Sequence, residues 1–431
     1  MKKYDSYKQS GFSWIGEIPS HWKTTRLRNL LSMVSEKGHG DKQLLSVTRE
    51  QGVIIRDVNS KESNHNFIPE DLNGYKLVKV GQFAINKMKA WQGSYAVSSY
   101  EGIVSPAYYI CDLNFDNKDF FSWAIRSRAY VPFFTQMSKG IRVDQWDLST
   151  DALKEIPFFI PDNHEQEKIV EFLSSKTLII NAQQRERERE LRLLEELKQA
   201  EMANVVTRGL NPDVPMKDSG IPWIGQIPAH WEVMRMKRIF SESKEKTEND
   251  GGQLLSLSQY TGITPKVEGQ KIGMFEAEST IGYNIVHPGQ FVMNIMLAWN
   301  GSYAVSDYEG IISPAYCVFN FNIDCEKKYF HYLLRQKAYS GAFKTQSKGI
   351  IESRLRLYPD YFYNFPCIVP PIDEQKAIVE YIEQKNKTID NMISNLKSQK
   401  DFLTEYKQRL ISDAVTGQID VGDYKSETSA K

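Results

Sequence analysis

The chain has 431 residues, of which 41% are hydrophobic and 25% are charged, and 54 basic residues balance 54 acidic ones. This length predicts two or three domains, and the composition excludes an intrinsically disordered chain. No apolar run approaches the roughly 18 residues of a membrane span, and the four cysteines form no CxxC pair, which excludes a zinc ribbon and a disulfide scaffold. No apolar segment follows the two N-terminal lysines, so we expect a cytoplasmic protein without a secretory signal.

The first motif along the chain, WIGEIPSHW at 14–22, opens a unit that is repeated. It returns as WIGQIPAHW at 223–231, and the motifs that follow it return in the same order. The longest match pairs 86–108 with 294–316, where 18 of 23 residues are identical. The offset stays between 208 and 210 residues. It therefore indicates the tandem duplication of a whole folding unit and not a short solenoid repeat.

Each unit begins with a globular part that is rich in Tyr, Phe, Val, Ile and Gly and predicts short strands. We assign 1–161 to the first domain and 211–370 to a linker and the second domain. The segment 86–95 predicts a strand with Lys87 and Lys89 on one face. That face differs between the two units, whereas the opposite face is unchanged. The variable face either contacts a ligand or is solvated in one copy and packed in the other.

Two long helices follow the globular parts. We predict them at 162–210 and 371–417, with Asn163 and Asp373 as N-caps and a flexible tail at 418–431. Alternating steps of four and three residues mark a seam that is typical of a coiled coil. The predicted seam residues are Ile169, Leu173, Ile180, Leu194 and Leu197 in the first helix, and Ile378, Ile382, Ile389, Met392, Leu396, Leu403, Tyr406 and Leu410 in the second.

The helices predict the architecture, because each is the only segment of the chain that matches the other in length and register. We predict an α/β (α+β) fold in which two similar domains are joined by two long antiparallel coiled-coil helices, as a pseudo-twofold internal duplication. The charged run at 185–190 is either a solvated helix face or a docking face for another subunit.

Signatures of catalysis and of bound cofactors are missing from the sequence. It contains no GxxxxGK[ST] phosphate loop, and Gly38-His39-Gly40 lacks the third glycine of a dinucleotide fingerprint. The SPAY motif occurs in both units but lacks the amide and the second proline of an amino-methyltransferase loop. We expect a binding scaffold with no catalytic residue, no metal site and no cofactor.

Three sets of motifs together resemble the DNA-specificity subunits of type I restriction–modification systems. They are SG..WIG.IP.HW at 10–22 and 219–231, the AW.GSYAVS…GI.SPAY core, and P...EQ..IV at 161–170 and 370–379. They cover nearly the whole chain, in the same order, twice. The resemblance implies that each domain recognises one half of a bipartite, gapped site in double-stranded DNA, with the helix pair setting the gap.

The resemblance also implies partners. Two modification subunits would carry S-adenosylmethionine and methylate adenine, and two restriction (motor-nuclease) subunits can join them. The chain itself would be non-catalytic and would bind no membrane. Its neutral charge is consistent with this, because partners can share the contacts to DNA phosphates.

Candidate DNA contacts lie on the variable face, in the turn that follows it and in the SKG loops. Glutamine and asparagine can bond to adenine, and lysine or serine can reach phosphate. The candidates are Lys87, Lys89, Trp91, Gln92, Ser94, Tyr95, Ser138, Lys139 and Arg142 in the first domain, and Trp299, Asn300, Ser302, Tyr303, Ser347, Lys348 and Arg354 in the second. The alternative is a hairpin tip with a core tryptophan, beside ordinary exposed turns.

Two other functions stay open at this level. One is a fused nuclease or methyltransferase, against which the missing motifs count. The other is a non-catalytic coiled-coil adaptor whose duplicated domains bind peptides, against which the order of the repeated motifs counts. The sequence gives neither the target bases nor the gap length.

Overall fold

The computed structural model describes residues 2–57, 68–141, 146–266, 279–349 and 355–425. The chain divides into two compact units, one formed by Met1–Glu188 with Lys397–Lys431 and the other by Arg189–Leu396. Each unit contains one globular domain together with half of each long helix. The predicted boundaries differ from this division, because they set each long helix apart as a segment of its own.

Short antiparallel strands and helices precede the long helix in the first unit. The strands are β1 Tyr7–Gln9, β2 Glu17–Pro19, β3 Lys23–Arg26, β4 Leu31–Val34, β5 Leu45–Thr48, β6 Gly52–Ile55, β7 Lys76–Val78, β8 Phe83–Asn86, β9 Tyr95–Val97, β10 Gly102–Val104, β11 Tyr108–Leu113, β12 Ser138–Lys139, β13 Asp147–Leu148 and β14 Pro157–Ile160. The helices are α1 Lys118–Ile125, α2 Val131–Met137, α3 Thr150–Glu155 and α4 Asn163–Arg208.

A four-stranded antiparallel sheet in the order β4-β11-β8-β9 forms the centre of the first domain. Strand β8 is buried on both faces. Phe83 and Ile85 pack into the main core with α1, and Ala84 packs on the other side into a second core with the β5–β6 hairpin. Burial on both faces explains why this strand is a continuous apolar run and not an alternating one.

The second unit repeats this plan. Its strands are β15 Met216–Asp218, β16 Gln226–Pro228, β17 Glu232–Arg235, β18 Phe240–Glu242, β19 Leu255–Ser258, β20 Gly262–Pro265, β21 Asn284–Val286, β22 Phe291–Asn294, β23 Tyr303–Val305, β24 Gly310–Ile312, β25 Tyr316–Phe321 and β26 Pro366–Val369. Its helices are α5 Met236–Ile239, α6 Lys327–Leu334, α7 Lys337–Gln346, α8 Pro359–Phe362 and α9 Ile372–Val415. The central sheet has the equivalent order β18-β25-β22-β23.

The repeated opening motif binds the start of the long helix in each unit. In the first unit the Trp22 indole donates to the Glu165 carboxylate at 3.0 Å, and His21 Nε2 lies 2.9 Å from the same carboxylate. In the second unit the Trp231 indole donates to Glu374 at 2.8 Å. The opening motif and the helix-start motif recur together because they form one structural contact between domain and helix.

The start of each long helix differs from the prediction in detail. The α4 N-cap is Asp162 and not Asn163, since the Asp162 carboxylate accepts the Glu165 backbone N–H at 2.9 Å. Helix α9 already begins at Ile372, so Asp373 lies inside its first turn. There its negative charge favours the helix through the dipole and not as a cap.

The two long helices run antiparallel within each unit. In the first unit Asn181 accepts a hydrogen bond from Lys407 at 2.7 Å, and Gln184 donates to Thr404 at 2.8 Å. Rising residue numbers in α4 therefore meet falling numbers in α9. In the second unit Lys198 binds Asp390 at 2.6 Å. This pair is the repeat equivalent of Lys407 with Asn181, so both units use the same helix register.

Burial along α4 and α9 agrees with the predicted seam at ten positions and contradicts it at three. The buried seam residues are Ile169, Leu173, Ile180, Ile378, Ile382, Ile389 and Leu410, and the half-buried ones are Leu194, Leu396 and Leu403. The prediction is wrong at Leu197, Met392 and Tyr406, which are exposed by 52%, 49% and 40%.

The seam runs one residue later at each of these three positions. Lys198, Ile393 and Lys407 are half-buried where their predecessors are exposed. Lys198 and Lys407 bind polar partners on the other helix, Asp390 and Asn181. Apolar periodicity alone favours the residue before each of these positions. The reason is that two of the three residues that occupy the seam are lysines, which do not count as apolar.

The end of the chain is folded and not a flexible tail over residues 418–425. Ile419 and Val421 are buried in the core of the first unit. The backbone N–H of Asp420 donates to the Lys2 carbonyl at 2.9 Å, and Lys2 Nζ lies 2.9 Å from the Asp423 carboxylate. The prediction of a flexible tail is wrong for this segment, because apolar side chains anchor it.

Candidate nucleic-acid interface

The predicted strand at 86–95 is a tight turn. Residues Lys87–Gln92 form a 3-10 helix, and Gly93 with a φ of 97° lets the chain reverse into β9. The second unit takes the same path through a 3-10 turn at Ala298–Asn300 and Gly301 with a φ of 94°. The strand prediction is therefore wrong, and alternation between two sheet faces does not describe these residues.

The two lysines of this turn have different environments. Lys87 Nζ lies 2.7 Å from the Asp147 carboxylate, and this hydrogen bond raises the pKa of Lys87. Lys89 is exposed. At the equivalent positions Ile295 packs against the core, whereas Leu297 is 40% exposed. Of the two substitutions between the units, only the second therefore changes an exposed surface.

The side chains that follow in the turn lie at the boundary between core and solvent. Trp91, Gln92, Trp299 and Asn300 are all half-buried. The Lys344 ammonium lies 5.4 Å from the centre of the Trp299 ring, a cation–π contact. These residues keep one face available at the surface and remain candidates for DNA contact.

The tyrosines of the turn belong to the core. Tyr95 and Tyr303 are fully buried. Tyr95 stacks on Phe134 with ring centres 3.8 Å apart, and the Tyr303 hydroxyl donates to the Leu334 carbonyl at 2.8 Å. Burial raises the pKa of both phenols. A fully buried side chain does not reach a duplex, so the prediction that these tyrosines contact DNA is wrong.

Most of the predicted serines also serve the fold. Ser94, Ser138 and Ser302 are buried, and Ser347 is half-buried. The Ser138 and Ser347 hydroxyls each donate at 2.8 Å to the backbone carbonyl four residues earlier, at the end of a helix. These two hydroxyls cap helix ends, and the three buried serines have no open path to phosphate.

The lysines of the SKG loops are exposed. Lys139 ends the short strand β12, and Lys348 lies over the Tyr361 ring at 4.7 Å from its centre. Both positions suit a phosphate contact. The predicted Arg142 and Arg354 lie outside the described residues.

The sequence reasoning missed the tips of the hairpins β5–β6 and β19–β20. The Cγ atom of Arg49, at the first tip, lies 3.9 Å from the position that a Cβ atom would occupy on Gly93. This tip therefore lies beside the 3-10 turn in the first unit. The signal in the sequence is a short unmatched stretch, REQ against QYT, between the matched strands QLLSVT and QLLSLS and a glycine that both units keep.

Two further observations concern metal ligands and membrane spans. Across the described segments, no three His, Cys, Asp or Glu side chains come together as metal ligands. None of the helices in those segments combines the length and the apolar composition of a membrane span.

Comparison with curated proteins links the chain to one class. It is 22% identical over 453 residues to the putative type I restriction enzyme MjaX specificity subunit of Methanocaldococcus jannaschii, with 96% of this chain and 98% of that protein covered. It is 23% identical over 309 residues to the type I restriction enzyme MjaVIII specificity subunit of the same organism, covering 67% and 68%. No protein-family model matches the chain. The resemblance that the repeated motifs predict is confirmed.

Solved structures confirm the fold class. A chain from a structure of a type I restriction–modification system superimposes with a TM-score of 0.67 at 14% identity, covering 93% of this chain and 99% of that chain. The HsdS subunit from Thermoanaerobacter tengcongensis gives a TM-score of 0.52 at 15% identity, covering 95% and 100%. Two similar α/β domains and two long antiparallel helices are thus the architecture of this chain.

Proposed function

We propose that this chain is the DNA-recognition subunit of a type I restriction–modification complex and reads a bipartite, gapped site in double-stranded DNA. The observation that carries the proposal is that the two units share one backbone scaffold but expose different side chains in its turns. Lys89 of the first unit is Leu297 in the second, within otherwise equivalent turns. Such a pair of domains suits the reading of two different half-sites, because exposed side chains select bases while the backbone is unchanged.

We propose that the chain works in the cytoplasm with two modification subunits, which bind S-adenosylmethionine and methylate adenine. Two restriction subunits can join this complex. The balance of 54 basic and 54 acidic residues supports such partners, because a neutral chain gains little affinity from phosphate contacts alone. The chain itself contributes recognition and holds no cofactor.

The test is selection from a random duplex library by the full chain, alone and co-expressed with the modification subunit of its host. We expect the selected duplexes to share two short conserved blocks that are separated by a fixed gap. The purified chain alone, given S-adenosylmethionine and Mg²⁺, should neither methylate nor cut these duplexes. A chain that selects no sequence, or turnover that survives rigorous purification, contradicts the proposal.

A peptide-binding adaptor is the alternative function, and the comparisons do not favour it. An adaptor would leave the library unselected, so the same experiment separates the two functions.

A further inference from the structure

The hairpins β5–β6 and β19–β20 end in short tips that occupy equivalent places in the two units. Three residues connect the strands in each tip, at 49–51 and at 259–261. Gly52 and Gly262 follow with φ values of 75° and 72°. Glycine adopts this left-handed conformation without steric cost, which lets the chain leave the tip at the same angle in both units. The two tips therefore share one backbone path.

A half-buried arginine side chain binds the backbone of each tip. The Arg126 guanidinium, just after α1, donates to the carbonyls of Arg49 at 3.1 Å and Glu50 at 2.9 Å. Arg335, just after α6, donates equivalently to the carbonyls of Gln259 and Tyr260. Since these guanidinium groups bind backbone carbonyls, they position the tips and are not themselves available to DNA.

A side-chain hydroxyl at the start of each tip also binds the backbone of that tip. The Thr48 hydroxyl accepts the Gln51 N–H at 3.1 Å and donates to the Gly52 carbonyl at 3.1 Å. In the second unit the Ser258 hydroxyl accepts the Tyr260 N–H at 3.1 Å. The backbone of each tip is thus fixed before any ligand arrives, which lowers the entropy cost of binding.

The three side chains on this fixed backbone differ between the units at every position. Arg49, Glu50 and Gln51 in the first unit correspond to Gln259, Tyr260 and Thr261 in the second, while the strands on both sides keep their pattern. Gln259 is half-buried, whereas Tyr260 is 83% exposed and the Arg49 and Glu50 side chains are exposed by 69% and 84%. Side chains this exposed contribute little to folding stability, so stability does not account for the choice of residues.

The first tip also lies beside the 3-10 turn at Lys87–Gln92. The Arg49 Cγ atom lies 3.9 Å from the position of a Cβ atom placed on Gly93, whereas nothing among the described residues lies within 4 Å of such a position on Gly301. The tip and the 3-10 turn are therefore neighbours in the first unit, so one ligand can contact both.

From these observations, and on the basis of the proposed function, we infer that the hairpin tips are specificity-determining elements. Arg49 reads a guanine in the first half-site, and Gln259 reads an adenine in the second. Arginine pairs with guanine O6 and N7, and glutamine pairs with adenine N6 and N7. Glu50 lies 3.4 Å from the Arg49 guanidinium. A carboxylate there disfavours phosphate but can accept a hydrogen bond from a cytosine amino group, which favours base edges over the DNA backbone.

The test compares library selection by the full-length chain and by two reciprocal variants, Arg49→Gln and Gln259→Arg. Arg49→Gln should weaken binding of the native target roughly 5- to 150-fold and shift one base pair of the first half-site from guanine toward adenine. Gln259→Arg should make the opposite change in the second half-site only. A uniform loss on all sequences, with a salt dependence weaker by about one phosphate contact, overturns the inference. An unchanged selection also overturns it.

The positioning role of Arg126 is tested with Arg126→Met, against Arg128→Gln as the matched control. Arg128 is exposed and pairs with Glu405 at 2.6 Å. Arg126→Met should weaken the base preference at the same base pair that Arg49→Gln changes. The double variant, Arg49→Gln with Arg126→Met, should bind the native target no more weakly than Arg126→Met alone. Additive losses overturn the positioning role. Thermal unfolding of each variant identifies any that fail to fold, and Arg49→Gln, at an exposed site, tests the tip independently.

The two proposals fail in different ways. A wild-type chain that selects no sequence contradicts the proposed function. A wild-type chain that selects a bipartite site, together with an Arg49→Gln variant that selects the same site, contradicts only the role of the tip.

Discussion

At the scale of single residues, side chains that look alike in the sequence differ in their exposure in the structure. Lys87 and Lys89 are two positions apart, yet one is held by Asp147 and the other is exposed. Only the exposed lysine is available for a ligand without the loss of an internal contact. The pair therefore gives a matched test of recognition against stability.

We expect Lys89→Leu, the residue of the second unit, to change affinity in a base-dependent way. Loss of one base contact should cost about 1–3 kcal/mol and alter the preference at one position of the first half-site. Lys87→Ile should instead lower the free energy of unfolding by up to about 1 kcal/mol, because its ion pair is partly exposed. Competition binding with singly substituted duplexes measures the first effect and denaturant unfolding the second. An equal loss on every duplex would assign Lys89 to a phosphate.

The second unit contains a titratable side chain, His331, that the first unit lacks at the equivalent position. Burial lowers its pKa to about 4, and its Nδ1 accepts the Val305 backbone N–H at 3.3 Å. The equivalent residue of the first unit is Ser122, which does not titrate. Below its ordinary pKa of 6.5 the unfolded chain protonates this histidine while the folded chain does not, so protons favour unfolding.

We predict that the second unit loses stability as the pH falls from 6.5 toward 4, by up to about 1.4 kcal/mol per pH unit. His331→Ser should remove this part of the pH dependence, whatever it does to stability at neutral pH. Denaturant unfolding of the full chain at several pH values, followed by hydrogen exchange in each unit, measures the effect. An unchanged slope in the variant would show that other groups carry the acid sensitivity.

At the scale of elements, the long helices show how polar residues set a register. Apolar periodicity places Met392 and Leu197 at the seam, but Met392 is 49% and Leu197 52% exposed. Lys198 faces the other helix instead and binds Asp390. A few polar residues at a coiled-coil seam cost stability but specify one alignment.

We expect Ile389→Ala to cost about 2–5 kcal/mol of unfolding free energy, because it leaves a cavity at a buried position. Met392→Ala should change it by no more than about 0.5 kcal/mol, as at other exposed sites. Denaturant unfolding of the two variants makes the comparison. Equal losses of unfolding free energy would place Met392 in the seam, as apolar periodicity alone predicts.

At the scale of the whole molecule, the proposed function makes the length of the helices a determinant of the DNA site. We expect seven residues, inserted after Glu188 in α4 and before Lys400 in α9, to keep the heptad register while adding about 10 Å to each helix. These two residues face each other at 2.7 Å. At about 3.4 Å per base pair, the gap should grow by about three base pairs with the half-sites unchanged.

Library selection measures the new gap. The control carries the insertion in α4 only, which breaks the pairing of the helices and should abolish selection of a bipartite site. Altered half-site bases with the original gap would refute the role of the helices.

The duplication also predicts a relation between the two half-sites. Since 18 of 23 residues match between 86–108 and 294–316, the half-sites should share some bases in inverted orientation. Differences should fall opposite Lys89 and Leu297 and opposite Arg49 and Gln259. Sequencing of methylated sites in the host reads this directly. Half-sites with no shared bases would place the recognition surface elsewhere.

The sequence by itself determines the duplication, the fold class and the positions of the long helices. Comparison of the chain with itself reveals the repeat, and periodicity over more than forty residues indicates each helix, because many weak local signals add along one element. The opening motif and the helix start are equally plain in the sequence, although only the contact between Trp22 and Glu165 explains why they recur together.

The tertiary structure alone decides which of these residues are exposed. Tyr95 and Lys89 lie in the same repeated turn, but packing of α2 against the sheet buries the tyrosine and leaves the lysine exposed. The contact of Arg126 with the tip at Arg49 joins residues 77 positions apart. Such contacts follow from the meeting of distant elements, and local pattern carries no information about them.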